Sequence, residues 1–261
     1  MAKRKIWLTV LGDAASQANA YAQALGKYGL EVVGAKWNDD AQAFPWSVLG
    51  VELSNGEKPD AWVIVAPPAA LTPKADRYAL SLAAAVAEDL RGSPLPTFVA
   101  GVGVAPKMTE LPPGLRSAVL LNAGESGWAA KVIAGLARPR AVSKQDYRFS
   151  ALGFPGLGQW YEVGPRSETW QGAMFGVPAG AEITHHGVGK RSHLPERCVL
   201  NYPIVGMTVE VAGAPFTAWA VQNTLGPDDS YFVRVSGMPE TVMFGGHPGT
   251  DNAEVNVLTL I

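Results

Sequence analysis

Three of the four histidines and the single cysteine of this 261-residue chain lie in one segment, Glu182–Cys198, with the sequence EITHHGVGKRSHLPERC. Imidazole and thiolate groups are the ligands that zinc prefers in proteins. If the segment begins as a strand, its side chains alternate between two faces, so His185 and His186 point in opposite directions. A complete ligand set then needs His193 and the distant His247. One hypothesis is therefore a zinc site built on these histidines.

The same segment has two other interpretations. The spacing from the histidines to Cys198 matches no standard zinc pattern, and a polar loop beside a buried structural thiol explains the composition equally well. Catalysis by Cys198 would need an exposed, electropositive thiol, whereas the run CVLNYPIVG that it opens predicts a buried strand residue. The charges of Lys190, Arg191 and Arg197 resist burial, so we expect the loop Gly187–Arg197 to face outward, where it could bind an acidic partner.

The stretch VPAGAEITHH also resembles the turn and paired histidines of cupins, which are metal-binding β-barrels. That resemblance implies a metal-dependent enzyme in the second half of the chain. The cupin pair is H-x-H followed by a nearby glutamate, whereas here the two histidines are adjacent and Glu196 comes ten residues after His186.

The first half of the chain alternates compact apolar runs with helical patterns. The apolar runs are Lys5–Gly12, Leu30–Trp37, Ala61–Pro67, Pro96–Gly103 and Ser117–Gly124, and the helical patterns are Asp13–Gly29, Pro73–Gly92 and Glu125–Arg138. Pro45 interrupts the segment between the second and third runs, which predicts a short or broken helix there. Strands that are apolar on both faces and separated by helices predict a flavodoxin-like three-layer α/β/α domain over residues 1–140, with about five parallel strands.

Polar side chains follow several of these predicted strands. Open parallel sheets bind ligands at the carboxyl ends of their strands. The side chains expected at that edge are Asp13, Ser16, Asn38, Asp39, Asn122, Glu125 and Ser126. Asp13 and Asp39 could hold Mg²⁺ if the first two loops converge. Capping of helix starts is the alternative role for Asp13, Glu125 and Ser126, and neither standard glycine-rich phosphate motif occurs here.

The length and βα rhythm of this half are similar to those of response-regulator receiver domains, which hold Mg²⁺ in an acidic pocket. Receivers carry a phosphoacceptor aspartate at the end of the third strand, where this chain has VIVAPPAAL. They also carry a lysine after the fifth strand, where this chain has LLNAGES. A phosphorelay function is therefore excluded.

After LARPRAVSKQDYRF the pattern changes to short alternating runs that are separated by Gly, Pro, Asn and Asp. This pattern is typical of an all-β domain, and we expect a β-sandwich or β-barrel over residues 141–261. The last run, EVNVLTLI, predicts a strand. Such a strand either completes a sheet or pairs with the exposed edge of a neighbour.

Composition and charge exclude several classes of function. The formal net charge is −2 and the basic clusters are short, which argues against nonspecific nucleic-acid binding. No apolar stretch reaches the length that a membrane helix needs. A single cysteine excludes an internal disulfide framework and suits a reducing compartment, so we expect a cytoplasmic protein without a membrane partner.

The predicted strand-end loops lack the dense constellation of charged groups that enzymes usually assemble. The leading hypothesis is therefore a non-catalytic binding or assembly protein. Its partner would be a second copy of itself or another protein, contacted through the β domain and its last strand. The alternatives are an enzyme acting on a nucleotide-like or phosphorylated small molecule in the α/β crevice, and a metal-dependent enzyme of the β domain, with Mg²⁺ or Zn²⁺ as the metal.

Overall fold

The computed structural model of the protein describes residues 3–38, 40, 43–137, 145–247 and 254–261. Contacts divide the chain into two units, Met1–Ser143 and Lys144–Ile261. The predicted site residue Asp39 lies outside the described residues. Within the described ranges, no helix is long and apolar enough to cross a membrane.

The first unit contains one parallel sheet. Its strands are β1 (Lys5–Val10), β2 (Glu31–Lys36), β3 (Ala61–Ala66), β4 (Thr97–Gly101) and β5 (Val119–Asn122), in the order β2-β1-β3-β4-β5. All six residues of the central strand β3 are buried. Burial on both faces requires apolar side chains throughout, which the sequence AWVIVA supplies. The predicted flavodoxin-like α/β architecture is confirmed.

In the described ranges, three α-helices lie between these strands, α1 (Ala18–Gly26), α2 (Pro45–Ser54) and α3 (Lys74–Arg91), and α4 (Trp128–Leu136) follows β5. A 3-10 segment, Gly12–Gln17, precedes α1, so the first α-helix begins later than predicted. Of the two predicted forms of the second helix, short or broken, the broken form is wrong. Pro45 occupies the first turn of α2, where its missing N–H would have no partner within the helix, and ten residues continue without interruption.

Helix α2 packs closely against α3. A Cβ atom added at Gly50 of α2 would lie 2.5 Å from Cγ1 of Val86, so only glycine permits this approach. On the same side of the sheet, Val33 of β2 is only partly buried and Ala35 is exposed. Helix α2 thus lies close to α3 and leaves part of β2 uncovered.

The second unit is a β-sandwich, which decides between the two predicted all-β architectures. Its strands are β6 (Tyr147–Phe154), β7 (Gly158–Pro165), β8 (Trp170–Val177), β9 (Glu182–Lys190), β10 (Ile204–Val211), β11 (Ala214–Leu225), β12 (Asp229–Ser236), β13 (Thr241–Gly246) and β14 (Val255–Thr259). One antiparallel sheet has the order β10-β11-β8-β13-β14 and the other has the order β6-β7-β12-β9.

Aromatic side chains join the two sheets. The rings of Tyr161 and Phe175 stack with centroids 5.1 Å apart, and Phe244 stacks on Phe149 at 5.4 Å. Both Phe175 and Phe244 are fully buried. Their burial fixes the sheet that contains β8, β13 and β14 against its neighbour.

A buried ion pair lies on β6 and β7. Arg148 and Glu162 are each only 2% exposed, and Nη1 of Arg148 lies 3.7 Å from Oε1 of Glu162. The same Glu162 oxygen accepts hydrogen bonds from the hydroxyl of Ser230, at 2.7 Å, and from the backbone N–H of Ser192, at 2.8 Å. Arg148 also donates to the carbonyl oxygen of Asp229 at 2.6 Å. The network therefore ties three strands to the segment after β9.

Candidate functional site

The predicted site residues near the end of β1 make a local contact. The hydroxyl of Ser16 donates to the backbone carbonyl oxygen of Asp13 at 2.9 Å within the 3-10 segment. At the end of β2, the side-chain oxygen of Asn38 accepts the backbone N–H of Asp40 at 3.0 Å. These contacts stabilise the two turns and leave the carboxylate of Asp13 exposed.

Asn122, at the end of β5, joins two strand-end loops. Its amide donates to the carbonyl oxygen of Gly103 at 3.2 Å and accepts the backbone N–H of Gly124 at 2.9 Å. In the next turn, the carboxylate of Glu125 forms an exposed ion pair with Lys131 at 2.6 Å, and Ser126 is exposed. Asn122 therefore orders the loops after β4 and β5, and Glu125 is already paired.

The two adjacent histidines point to opposite faces of β9, as the alternation predicts. His185 is exposed beside Trp160, whereas the half-buried His186 has its Nδ1 atom 2.7 Å from the hydroxyl of Tyr231. Burial lowers the pKa of His186 and raises the pKa of Tyr231 well above its ordinary value. Burial thus favours the neutral forms of both groups, which share one hydrogen bond, and the ring of His186 packs edge-on against Trp219 with centroids 4.9 Å apart.

The remaining histidines make separate contacts. His193 is exposed, with Nδ1 2.8 Å from the carbonyl oxygen of Arg191, and the backbone N–H of His247 donates to Gly172 at 3.1 Å. In the part of the chain that the structure describes, no group of three or more His, Cys, Asp or Glu side chains could hold a metal ion. A zinc site on these histidines thus gains no support from their placement.

The segment after β9 differs from the prediction in two respects. Strand β9 extends to Lys190, so the residues from Gly187 to Lys190 belong to the strand and not to a loop. Cys198 is exposed and precedes β10, so its prediction as a buried strand residue is wrong. Arg197 is exposed, as its charge predicts, while Pro195 packs on the strand near Gly187.

Several apolar residues of the run CVLNYPIVG are also exposed, although the sequence predicted a buried strand. Val199, Tyr202 and Val205 are 79%, 77% and 60% exposed. The physical reason is a pair of hydrogen bonds from the side chain of Asn223 in β11. The side chain of Asn223 accepts the N–H of Asn201 at 2.8 Å and donates to the carbonyl of Val199 at 2.9 Å, which holds this segment at the outside of the sheet.

Strand β14 lies at one end of the five-stranded sheet. It pairs with β13 in an uninterrupted antiparallel register, from Thr241–Thr259 to Gly245–Val255. Among the described strands, none pairs with its other side. The outward N–H and C=O groups of β14 therefore form an edge to which another strand could be added.

This edge lacks the devices that usually protect edge strands, namely charges, prolines and bulges. The sequence of β14, VNVLT, has no charge and no proline, its register has no bulge, and Val257 is 46% exposed. Among the other described sheet edges of this unit, β9 carries the exposed charges of Glu182 and Lys190 and β10 carries that of Glu210, whereas the one charge of β6, Arg148, is buried. Strand β14 is thus the candidate functional site of the β unit.

A scan against protein-family models finds no match for the chain, and a search of curated proteins finds no similar sequence. Comparison with known proteins therefore contributes no activity, ligand or partner. The β14 edge and the contacts of the predicted site residues are therefore the observations that bear on function.

Proposed function

We propose that the protein is a non-catalytic assembly protein that associates with a second copy of itself through the β14 edge. The observation that supports this proposal is the unprotected edge, which is regular in register, free of charge and partly apolar. Main-chain hydrogen bonds to an added strand supply affinity, and the outward side chains supply register.

The edge is compatible with two-fold pairing. A two-fold axis perpendicular to the sheet pairs two copies of β14 as antiparallel strands. Residues that stand directly opposite each other then lie on the same face of the sheet, and the axis passes between the two copies of one residue. Centring on Val257 places Val257 opposite itself, Val255 opposite Thr259, and Asn256 opposite Leu258. No charge of β14 then meets a like charge, because the strand has none.

The association is expected to be reversible. Stable protein interfaces bury roughly 1,200 Å² or more, and one five-residue ladder buries less than that. The dimer population should therefore rise with protein concentration. Contacts outside β14 would be needed to make the dimer permanent.

Replacing Val257 by lysine should abolish the association. The side chain is partly exposed, so the fold tolerates lysine, but pairing would place two like charges opposite each other at the axis. Size-exclusion chromatography with light scattering, over a range of concentrations, should show the wild-type mean mass rising toward that of two chains and the variant remaining at that of one.

The matched control is Val205→Lys, which puts the same charge on a 60% exposed valine of β10 at the opposite end of the same sheet. This control should associate like the wild type. A wild-type protein that stays monomeric at every concentration would contradict the proposal, as would a dimer that is lost in the control and kept in Val257→Lys.

We also propose that the protein works in the cytoplasm. Cys198 is an exposed free thiol, and exposed free thiols persist in reducing compartments. Fractionation of cells that carry the untagged protein would test this, and recovery from an oxidising compartment would oppose it.

A further inference from the structure

The α/β unit contains a cavity of about 430 Å³ between α2 and the first two strands. Small-molecule sites are mostly apolar clefts of roughly 300–1,000 Å³ with a few polar groups. The cavity matches that description in its size and in the predominance of apolar residues around it. The residues that line it are Trp7, Thr9, Ala35, Lys36, Trp37, Asn38, Ala43, Pro45, Val48, Leu49 and Glu52.

One face of the sheet and one stripe of α2 form most of these walls. The register of β1 with β2 places Thr9 opposite Ala35, so both side chains lie on the same face of the sheet. Trp7 precedes Thr9 by two residues in β1 and therefore shares that face. The stripe of α2 repeats at helical spacing and consists of Pro45, Val48, Leu49 and Glu52.

The walls of the cavity are held by contacts outside it. Gly50 lets α2 approach α3, which leaves the small side chain of Ala35 uncovered on β2. The indole N–H of Trp37 donates to the carboxylate of Asp76 on α3 at 2.7 Å, so this donor is already used. Trp37 and Leu49 are each more than nine-tenths buried, so the apolar walls are formed before any ligand arrives.

Two buried polar groups on the sheet side of the cavity are hydrogen-bond donors that lack an acceptor. The indole N–H of Trp62 donates to the hydroxyl oxygen of Thr9 at 3.0 Å, which leaves the hydroxyl hydrogen of Thr9 without an acceptor among the described residues. The indole nitrogen of Trp7 is buried and also has no hydrogen-bond partner in the described part of the chain. Trp7 and Thr9 are only 7% and 1% exposed. Because a buried donor without an acceptor is costly, a ligand that brings an acceptor oxygen to this wall is favoured.

The charges around the cavity favour an uncharged ligand. Lys36 stands opposite Val10 in the sheet, so its side chain points to the other face, away from Thr9. Among the described lining residues, Glu52 is then the one charged side chain on the cavity side, and its carboxylate repels an anion. A ligand ammonium group carries no acceptor for the buried donors. The remaining class of ligand is neutral and carries an acceptor oxygen.

We propose that this cavity binds a small, uncharged aromatic molecule with a carbonyl group, which is a function separate from assembly through β14. The carbonyl oxygen has two lone pairs and accepts hydrogen bonds from the indole N–H of Trp7 and the hydroxyl of Thr9. The aromatic ring packs against the apolar walls that Trp37, Val48 and Leu49 provide. Such a ligand satisfies both buried donors and brings no charge into the cavity.

The test uses the full-length protein and two probes of the same shape. The ketone 2-acetylnaphthalene carries the acceptor oxygen, and 2-isopropenylnaphthalene has a CH₂ group in its place. Calorimetric titration should show saturable binding of the ketone. The ketone should bind more tightly than the alkene although the alkene is the more apolar molecule, because the alkene leaves the donors of Trp7 and Thr9 unpaired.

The hydrogen bond to Trp7 has a spectroscopic signature in the wild-type protein. In ¹⁵N-labelled protein the indole N–H signal of Trp7 can be assigned from its loss in Trp7→Phe. The ketone should move the proton of this signal downfield relative to the alkene, since the two probes share the same ring and the same ring-current effect.

The two tryptophans of the lining give a matched pair of variants. Trp7→Phe should reduce the preference for the ketone over the alkene by roughly fivefold, as expected for the loss of one hydrogen bond. Trp37→Phe removes an indole from the same lining, but its N–H is already bonded to Asp76. Trp37→Phe should therefore keep the wild-type preference, even where it weakens both probes.

Two valines of α2 test the place of binding. Val48 lines the cavity and is 64% exposed, whereas Val51 lies on the same helix, is 45% exposed and does not line the cavity. Val48→Trp should fill the opening and abolish binding of the ketone, and Val51→Trp should bind it like the wild type.

Two kinds of result would overturn the inference. Absence of saturable binding in the wild type, or equal binding by Val48→Trp and Val51→Trp, would exclude the cavity. An alkene that binds as tightly as the ketone, or an equal loss of preference in Trp7→Phe and Trp37→Phe, would exclude the carbonyl as the recognised group. None of these readouts depends on dimer formation, and Val257→Lys should bind the ketone like the wild type, so failure of one proposal leaves the other intact.

Discussion

Replacing Arg148 by methionine is expected to lower the free energy of unfolding of the β unit by about 3–5 kcal/mol. The substitution leaves the carboxylate of Glu162 buried at 2% exposure without its cation, although Ser192 and Ser230 still donate to it. Urea unfolding that is monitored by hydrogen exchange of the amides in β6, β7 and β12 measures the loss of stability in this unit alone.

A double-mutant cycle separates the lost charge from the lost packing. Glu162→Gln keeps an acceptor oxygen for Ser192 and Ser230 and removes the negative charge. Arg148→Met combined with Glu162→Gln should therefore be more stable than Arg148→Met alone, because no unpaired charge remains buried. Equal stability of the double and single variants, or a loss below about 1 kcal/mol in Arg148→Met, would show that the pair is not energetically coupled.

Replacing Phe244 by alanine should cost about 3–5 kcal/mol, which is the usual range for a large buried ring. Its ring contacts Tyr147 at 5.0 Å, Phe149 at 5.4 Å and Phe175 at 6.4 Å. Phe244 also stands opposite Asn256 in the ladder between β13 and β14. The variant should therefore lose both stability, measured by urea unfolding, and association, measured by light scattering.

Phe154 provides the comparison, because it is a phenylalanine of β6 that is 37% exposed. Phe154→Ala should cost less than about 1 kcal/mol and should still associate. A similar cost at both positions would indicate that the aromatic stack does not concentrate stability between the sheets. A stable Phe244→Ala protein that still dimerises would separate the stack from the β14 edge.

The α/β architecture could be predicted because its signals are local. The run AWVIVA is apolar on both faces, and only a central parallel strand buries all of it. Pro45 misled the prediction for a local reason as well. Proline breaks a helix in its interior and is compatible with its first turn, and the helix start could not be located without the packing of α2 on α3.

The errors after β9 arise from contacts between residues distant in sequence. Cys198 and Val199 look like the start of a buried strand, but hydrogen bonds to Asn223 hold the segment outside the sheet. The pairing of His186 with Tyr231, 45 residues away, is equally invisible in a local pattern. The cavity behind α2 depends on Gly50 meeting Val86, which no sequence period indicates.

The β14 edge could be predicted in part. The sequence VNVLT alternates apolar and polar side chains in its first residues and has no charge, and both features predict a strand whose edge is suited to pairing. Whether that strand is central or at an end depends on the order of strands in the sheet, which the sequence does not encode locally. The structure supplies that order and with it the unpaired side.

Disulfide trapping is a direct test of pairing through β14. In a Cys198→Ser background, Val257→Cys places a thiol on the proposed two-fold axis, opposite its own copy. Val255→Cys is the control, because the two copies of residue 255 would lie four residues apart along the ladder, roughly 13 Å, and a disulfide needs Cα atoms within about 7 Å. Under mild oxidation, pairing through β14 predicts a covalent dimer for Val257→Cys and none for Val255→Cys. Equal trapping of both variants, or trapping of neither, would contradict it.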